Sequence, residues 1–267
     1  MKEDLVSVIM PTFNESRFLA QSIESVLNQT YTNLELLITD DCSTDEKTLE
    51  ILDFYSQNDH RVQVFRLTQN MGAGAARNNS ISRAKGRYIA FCDSDDRWLP
   101  TKLERQIEYM QKKNCCMSFS SYILCDQEGV EKGIVIAPVR LTLRMLMHDN
   151  KVGCLTAVYD TQRFGKFYMP TLRKRQDWGL FLMILQKCKV AYGIQKPLAF
   201  YRLRPHSISK NKLSLVQYNV KVYQKILGFS VMKSYCYFTF LFMPNYAMKL
   251  LRNKINSKRY INRRYRS

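Results

Sequence analysis

Apolar and polar positions follow a regular alternation through the first 113 residues. Short apolar segments predict strands, which lie at 7–10, 34–39, 62–67 and 88–92. Pro11 is expected to end the first of these strands. Helical patterns separate them, with predicted helices at 15–28, 46–56, 73–84 and after Pro100. Strands that alternate with helices in this way are typical of a parallel sheet with helices on its faces, so the fold class is α/β.

Beyond residue 114 the pattern changes, because the strand-like segments are shorter and no longer alternate regularly with helices. The short segments lie at 117–124, 133–136 and 154–159. They predict a mixed or antiparallel extension of the sheet. Further along, the sequence predicts a helix at 178–186, a last strand at 197–203 and a helix at 213–227.

Polar clusters directly follow the four predicted strands of the front part. They are 11–14, 40–41, 69–72 and 93–96. Ligands of parallel sheets bind outside the carboxyl ends of the strands. These clusters are therefore expected to meet at one edge of the sheet and to form the functional site there.

The most charged of these clusters is Asp93-Ser94-Asp95-Asp96, in which three carboxylates lie within four residues. Such a cluster either binds a hard cation through its oxygen atoms or forms a solvated turn. A calcium loop of the helix-loop-helix type is excluded, because Trp98 stands where the loop requires glycine. Mg²⁺ or Mn²⁺, completed by the phosphate oxygens of a nucleoside diphosphate, fits better.

Composition adds a strong asymmetry of charge to this picture. The chain has 267 residues, 46% of them hydrophobic, and a net charge of +18, so it can form a full core. From Trp178 to Ser267 there is no Asp or Glu, while 18 of the 41 Lys and Arg residues lie there. This excess favours a polyanionic partner: nucleic acid, acidic lipid or a phosphorylated substrate. No nucleic-acid-binding module accompanies the charge, so a nucleic-acid partner is not expected.

Cysteine usage and the N-terminus bear on the compartment. None of the eight cysteines forms a C-x-x-C pair and several lie in apolar segments, which predicts reduced thiols in the core. The first residues, MKEDLVSVIMP, lack the pattern of a secretory signal. The expected location is the cytosol or the cytosolic side of a membrane.

Several motifs in a fixed order resemble glycosyltransferase family 2. They are SVIMPTFNES, LLITDDCSTD, NMGAGAARN, FCDSDD, RQDW and the later YRLRPHSIS. The resemblance covers roughly residues 5–210 and is strongest to bacterial enzymes that build O-antigen, capsule and teichuronic-type polysaccharides. The segment GAGAAR is not a dinucleotide-binding fingerprint, because Arg77 replaces the third glycine and the motif follows the third strand rather than the first.

The resemblance implies a GT-A fold, a nucleotide-sugar donor, Mn²⁺ or Mg²⁺, and inversion at the anomeric carbon. It divides the chain into a catalytic domain, 1–210, and a helical, basic tail, 211–267. Within the catalytic domain, 1–113 would bind the nucleotide sugar and 114–210 the acceptor. The C-terminal tail is expected to add an amphipathic helical extension to the GT-A sheet.

The resemblance also implies which residues bind the donor. Those expected to hold the base, ribose and diphosphate are Pro11, Thr12, Phe13, Glu15, Asp41, Asn70, Gly72, Arg77, Asp93 and Asp95. Four of them have a plainer interpretation, and that of Pro11 is only that it ends the first strand. Phe13 is a core side chain in that interpretation, Asp41 a helix N-cap, and Arg77 a surface charge on a helix.

Metal binding and catalysis are assigned by the same resemblance. Asp95 would be the direct metal ligand, with Asp93 and His206 contributing, although His206 could equally be a surface loop residue. Asp177 would be the base that takes the proton of the acceptor hydroxyl. Its plainer interpretation is an N-cap of the helix that begins at Trp178, which is compatible with the catalytic role.

The segment from Phe229 to Met248 is rich in aromatic residues and is followed by a run of basic ones. Its apolar stretch is too short to span a bilayer comfortably, so it predicts an interfacial anchor on anionic lipid. A helix that joins two copies of the chain is the alternative. The anchor would place a peripheral protein at the cytoplasmic face of a bacterial inner membrane.

Taken with the resemblance, these features predict transfer of glucose or galactose from a UDP-sugar to an undecaprenyl-diphosphate-linked N-acetylhexosamine, in a β-1,3 linkage. A diphosphate-bearing acceptor suits the cationic back of the chain. The alternatives are a non-catalytic protein that binds nucleotides or polysaccharides on the same scaffold, and a sugar-nucleotide pyrophosphorylase.

Overall fold

The computed structural model describes residues 4–204 and 212–264, and the side chains of the second range from residue 216 onward. This part of the chain folds around one mixed sheet of ten strands. The strands are β1 (Val6–Thr12), β2 (Leu34–Asp40), β3 (Val62–Arg66), β4 (Tyr88–Phe91), β5 (Arg97–Trp98), β6 (Met117–Cys125), β7 (Glu131–Val135), β8 (Arg140–Thr142), β9 (Val158–Asp160) and β10 (Val190–Arg202). Their order is β3-β2-β1-β4-β9-β6-β10-β5, with β7 beside β6 and β8 beside β10.

Ten α-helices accompany the sheet in the described ranges. They are α1 (Leu19–Leu27), α2 (Glu46–Asn58), α3 (Ala73–Arg83), α4 (Lys102–Lys113), α5 (Leu143–His148), α6 (Thr161–Phe164), α7 (Gln176–Cys188), α8 (Lys212–Leu227), α9 (Val231–Tyr237) and α10 (Met243–Arg264). A π-helical turn, Phe238–Phe242, joins α9 to α10, and a 3₁₀ turn, Cys154–Thr156, precedes β9. The predicted helices are thus present, with ends that differ by a few residues.

The front half of the sheet is parallel, as predicted. Strand β1 lies between β2 and β4, and β3 pairs with the outer side of β2, all in parallel register. Alternate side chains of β1 enter opposite cores: Val8 packs with α1, α2 and α4, whereas Ile9 packs on the side of α3 and α7. Helices therefore cover both faces, and the carboxyl ends of the parallel strands remain open at one edge.

The back half is mixed, which confirms the predicted change of pattern after residue 114. Strand β9 joins the halves, since it pairs antiparallel with both β4 and β6. Strand β10 runs parallel to β6, and its first residues, from Val190, pair with β8. The predicted strand at 154–159 is wrong in its first half, because Cys154–Thr156 forms the 3₁₀ turn.

Pro11 does not end the first strand, contrary to the prediction. It pairs with Thr39 of β2, and β1 continues to Thr12. The carbonyl of Ile9 accepts from Cys92 on the β4 side, so Pro11, two residues further on, faces that side too. Pairing between β1 and β4 has already ended at Ile9, and the missing N–H of Pro11 therefore costs no ladder hydrogen bond.

The cysteines are not all reduced thiols. Cys116, just before β6, and Cys188, at the end of α7, form a disulfide with their Cα atoms 6.2 Å apart. The parallel pairing of β10 with β6 brings the end of α7 beside the start of β6, which the linear sequence does not reveal. The other six cysteines are free, as predicted.

Candidate active site

Asp93, two residues after the end of β4, contacts an arginine of the neighbouring helix α3. Its Oδ1 accepts from Nη2 of Arg77, at 2.5 Å. Burial opposes the charge of this guanidinium, but the Asp93 carboxylate, with smaller contributions from Cys154 and Asp177, raises the pKa of Arg77 above its usual value. Arg77 is 9% exposed, so its interpretation as a surface charge is wrong. It supplies a permanent positive charge to the acidic loop.

Asp95 lies beside a second arginine, which follows the last strand, β10. Its Oδ2 is 2.8 Å from Nε of Arg204, an ion pair without the alignment of a hydrogen bond. The other arm of Arg204 donates to the carboxylate of Glu15. Burial first, and the charge of Asp93 second, raise the pKa of Asp95 to about 6. Loops from three distant parts of the sequence therefore meet at Asp95.

Asp96 has a structural contact rather than a free carboxylate. It is 2% exposed and accepts the backbone N–H of Arg202 at 3.0 Å, while Nε of Arg202 donates to the carbonyl of Asp95. Burial, followed by the charges of Asp95 and Asp93, raises the pKa of Asp96 well above its ordinary value. These contacts fix the acidic loop against the end of β10.

The loop after β2 is held to the loop before α3 by Asp41. Its two carboxylate oxygens accept the backbone N–H groups of Met71 and Gly72, each at 2.7 Å. Asn70 donates its side-chain amide to the Asp41 carbonyl at 3.2 Å. Gly72 has φ +87°, which suits glycine. Asp41 does not cap α2, because Asp45 does so by accepting from the N–H of Thr48.

The loop after β1 leaves an open side chain and an unpaired hydroxyl at the same edge. Phe13 is 46% exposed, so its interpretation as a core residue is wrong. Thr12 is buried, and its Oγ1 has no partner among the described residues. Asn14 has φ +48° and its Oδ1 accepts from the N–H groups of Thr44 and Asp45. This contact ties the loop after β1 to the loop before α2.

Asp177 lies in the first turn of α7, which begins at Gln176 rather than at Trp178. Arg175, with φ +65°, occupies the cap position, so Asp177 is not the N-cap. Its Oδ2 accepts from Nδ2 of Asn150 at 3.1 Å. Its charge is among those that raise the pKa of Arg77. The helix N-terminus favours an anionic side chain at this position.

The fit of a divalent cation can be judged from the donor set. Within residues 4–204 and 212–264, no group of three or more His, Cys, Asp or Glu side chains is arranged to hold a metal ion. Asp93 and Asp95 nevertheless offer partly exposed carboxylates, which are hard oxygen ligands. Mg²⁺ and Mn²⁺ commonly take one or two protein carboxylates together with substrate phosphates, so the pair fits such an ion. His206 lies outside the described residues.

Three further residues at this site were not predicted to have a role. Arg202 and Arg204 lie at and just after the end of the last strand, within the motif YRLRPHSIS. The motif does not indicate which side chains these arginines contact. Asn150 has no sequence signal, since it lies in a loop between α5 and the 3₁₀ turn. Its contact with Asp177 depends on the packing of α7.

A comparison with family models identifies the family of this chain. The model for "Glycosyl transferase family 2" matches residues 7–176, which include the ends of all four parallel strands. The chain belongs to glycosyltransferase family 2. It is therefore an enzyme that transfers sugars, as the ordered motifs predicted.

Curated bacterial relatives agree with this family. The chain is 42% identical to TuaG of Bacillus subtilis, a provisionally assigned teichuronic acid biosynthesis glycosyltransferase, over 86% of this chain and 91% of TuaG. It is 38% identical to WfgD of Escherichia coli over 79% of this chain and 82% of WfgD. WfgD is a UDP-Glc:α-D-GlcNAc-diphosphoundecaprenol β-1,3-glucosyltransferase. This family-2 enzyme is thus related to glycosyltransferases of surface-polysaccharide biosynthesis.

Solved structures confirm the GT-A fold. TarS of S. aureus, solved with UDP-GlcNAc, has a TM-score of 0.66 at 20% identity and matches 89% of this chain and 71% of its own. The mannosyltransferase PcManGT of Pyrobaculum calidifontis, solved with GDP-Man and Mn²⁺, has a TM-score of 0.60 at 14% identity and matches 92% and 74%. At these identities the likeness concerns the fold.

Proposed function

We propose that this enzyme transfers glucose or galactose from a UDP-sugar to an undecaprenyl-diphosphate-linked N-acetylhexosamine, with inversion and in a β-1,3 linkage. The observation that supports the proposal is the pairing of Asp93 with Arg77 and of Asp95 with Arg204 at the open edge of a family-2 sheet. The activity of WfgD, at 38% identity, supports the choice of donor and acceptor.

The nucleotide would lie across the ends of the parallel strands. Phe13 offers an exposed aromatic face for the uracil. Asp41 would shape the base of the nucleotide site, because its carboxylate ties the loop before α3 to the loop after β2. Arg77 points its charge at Asp93, where the diphosphate of a donor would be attracted.

Asp95 and Asp93 would hold Mn²⁺ or Mg²⁺ together with the diphosphate oxygens. When bound, the ion would supply Lewis-acid stabilisation to the leaving UDP. The two arginines that face these carboxylates, Arg77 and Arg204, keep the loop folded by offsetting the repulsion among its charges. The side chain of Asp95 is 26% exposed, so a ligand can reach this carboxylate.

Asp177 would act as the base. As the acceptor hydroxyl oxygen attacks the anomeric carbon, its proton passes to the Asp177 carboxylate. The bond between the anomeric carbon and the β-phosphate oxygen breaks, and UDP leaves from the opposite face, so the configuration inverts. A positioned base of this type contributes about 10²–10⁴-fold in rate.

The C-terminal helices would bring the enzyme to its lipid-linked acceptor. No helix in the described ranges carries an apolar stretch long enough to cross a bilayer. Helix α10 instead exposes Met248, Leu251 and Ile255, spaced at three and four residues, on a surface that also carries basic side chains. This combination suits a peripheral contact with anionic lipid at the cytoplasmic face of the membrane.

Product analysis with a panel of UDP-sugars and a synthetic lipid-diphosphate acceptor tests the proposal. We expect UDP release and a disaccharide with Mn²⁺ present, and loss of both on chelation. Asp177→Asn and Asp95→Ala should each lower transfer at least about 10²-fold without loss of the circular dichroism of the fold. The control is Asp53→Asn, which removes a carboxylate exposed on α2.

Each other outcome identifies a different function. Binding of UDP without turnover would indicate the non-catalytic binding protein, and formation of pyrophosphate would indicate a pyrophosphorylase. Full transfer by Asp177→Asn would remove the assignment of the base.

A further inference from the structure

A loop between α5 and the 3₁₀ turn contacts both the proposed base and the C-terminal helix. Within it, Asn150 donates to Asp177, and Lys249 of α10 donates to the backbone carbonyl of Asn150. The two contacts lie on one residue, although α7 and α10 are far apart in the sequence. A displacement of α10 would therefore shift Asn150 and, through it, the carboxylate of Asp177.

The amide of Asn150 is fixed in one orientation. Its Oδ1 accepts the backbone N–H of Val152 at 3.2 Å, so its Nδ2 must point away from that group. Nδ2 donates to Oδ2 of Asp177 at 3.1 Å. Asn150 is 9% exposed, which leaves little room for another rotamer. The carboxylate of Asp177 therefore accepts a hydrogen bond from the neutral amide of Asn150, and the contact with Val152 fixes the orientation of that amide.

Lys249 fixes the backbone of the same loop. Besides the Asn150 carbonyl, its Nζ contacts Oδ1 of Asp149 at 3.2 Å. Asp149 is 1% exposed, and Lys151 reaches its other oxygen at 3.4 Å. Burial lowers the pKa of Lys249, although the Asp149 charge opposes this change. A buried carboxylate that contacts the lysine of α10 anchors that helix to the loop.

The rest of α10 is docked by the same face that carries Lys249. Ser257 bonds both backbone groups of Ile134 on β7, and Tyr260 donates to Glu131 at 2.7 Å. The opposite face exposes Leu251 and Ile255. One helix thus carries both the exposed apolar surface and the contact to the Asn150 loop.

We propose that Asn150 positions the carboxylate of Asp177 and that Lys249 holds Asn150 in place, so that α10 is part of the catalytic arrangement. This inference rests on the proposed function, because it assumes that Asp177 is the base. Asn150 and Lys249 are positioning residues, since neither is required to touch the substrate. Fixing the carboxylate matters because a misplacement of about 1 Å at a reacting group can cost about 10²-fold in rate.

Steady-state kinetics of matched variants test the proposal. Lys249→Met should lower kcat about tenfold and leave the KM for the UDP-sugar within about twofold, and Asn150→Ala should lower kcat about 10- to 100-fold. The control, Lys254→Met, removes the same charge from an exposed position of α10 and should keep the kcat of the unaltered enzyme. Lys249→Arg should restore most of kcat. Equal kcat for Lys249→Met and Lys254→Met, or a loss that Lys249→Arg does not restore, would overturn the proposal.

Hydrogen–deuterium exchange separates this inference from the proposed function. Lys249→Met should raise amide exchange in 149–156 and in the first turn of α7, whereas Lys254→Met should not. If the unaltered enzyme transfers no sugar but this exchange pattern is found, the proposed function fails and the mechanical link from α10 to Asp177 stands. Unchanged exchange in Lys249→Met would refute the link whether or not the enzyme is active.

Discussion

At the scale of single residues, the acidic loop 93–96 is balanced by two arginines, one on α3 and one that follows β10. Arg77 contacts Asp93, and Arg204 contacts both Asp95 and Glu15. Three carboxylates within four residues would otherwise repel one another strongly. The sequence predicted that this loop needs positive charge, and it suggested a metal ion. The structure adds two fixed guanidinium groups, which keep the loop assembled before any ion binds.

Lys102 is a buried cation with an unusual environment. It is fully buried at the start of α4, its Nζ has no hydrogen-bond partner among the described residues, and it lies 3.9 Å from the centre of the Trp98 ring. Burial lowers the pKa of Lys102 to about 7. The Trp98 ring offers some attraction to an ammonium, but less than full hydration does.

This environment predicts that stability rises with pH above about 7. Between pH 7 and about 10.5 the unfolded chain binds a proton at Lys102 that the folded protein lacks, so the free energy of unfolding increases by up to about 1.4 kcal/mol per pH unit. Below pH 7 both states are protonated, and this contribution no longer changes with pH. Urea unfolding at pH 6.5 and 9 should show the increase in the unaltered protein.

Lys102→Met provides the comparison, since methionine has a similar length and no charge. The variant should be more stable than the unaltered protein at pH 6.5, and its stability should change less between the two pH values. An identical pH dependence in both proteins would show that Lys102 stays protonated in the folded state.

At the scale of elements, α10 closes an edge of the sheet. Strand β7 pairs with β6 on one side, and Ser257 bonds the backbone N–H and carbonyl of Ile134 on the other. The approach is close, because a Cβ on Gly133 would lie 2.5 Å from Cβ of Ser257. An open edge strand can pair with strands of other chains. The contact of Ser257 with Ile134 therefore covers the edge of β7 as well as fixing α10 to it.

Gly133→Val should therefore displace α10 from β7. The added side chain meets Ser257, and the helix must move to accommodate it. We expect faster proteolysis within 243–264. We also expect a lower kcat, because the displaced α10 would no longer hold the Asn150 loop. The control, Lys132→Val, places the same side chain on the exposed neighbouring position of β7. Equal proteolysis of the two variants would contradict the docking.

At the scale of the whole molecule, charge is segregated along the chain. The first 177 residues are neutral in sum, while the remainder carries the whole excess of +18. That excess accompanies the exposed apolar residues of α9 and α10. The division of the chain at residue 210 stays a prediction, but α8 and α10 both pack against the sheet-bearing part through side chains such as Tyr223 and Lys249.

Binding to anionic vesicles tests the role of this surface. Leu251→Asp should lower partitioning to vesicles rich in phosphatidylglycerol about tenfold. The substitution removes apolar area that would enter the lipid surface, and it adds a negative charge that the anionic lipid repels. The control, Phe54→Asp on α2, alters a side chain of nearly equal exposure, 59% against 61%, in the neutral part of the chain. Equal partitioning of both variants would refute the lipid-facing role. A dimer that Leu251→Asp dissociates would favour the alternative of a helix joining two copies.

The local pattern of apolar and polar residues was sufficient to predict most strands and helices of the front half. It failed to predict the strands whose extent or position depends on pairing between distant segments. The four parallel strands follow from short apolar segments between amphipathic helices, each readable within a window of a few residues. Strand β10 begins at Val190, seven residues earlier than predicted, because pairing with β6 and β8 supports the extra length. The insertion of β9 between β4 and β6 likewise depends on long-range pairing.

The same division holds at the site. The sequence by itself determined the acidic loop, Asp41, Arg77 and Asp177 as candidates, because strand ends and ordered motifs are local properties of the chain. Tertiary structure alone decided that Arg204 faces Asp95, that Asn150 holds Asp177 and that Lys249 holds Asn150. Those contacts join residues up to 109 positions apart, and no local periodicity records which distant side chains packing will bring together.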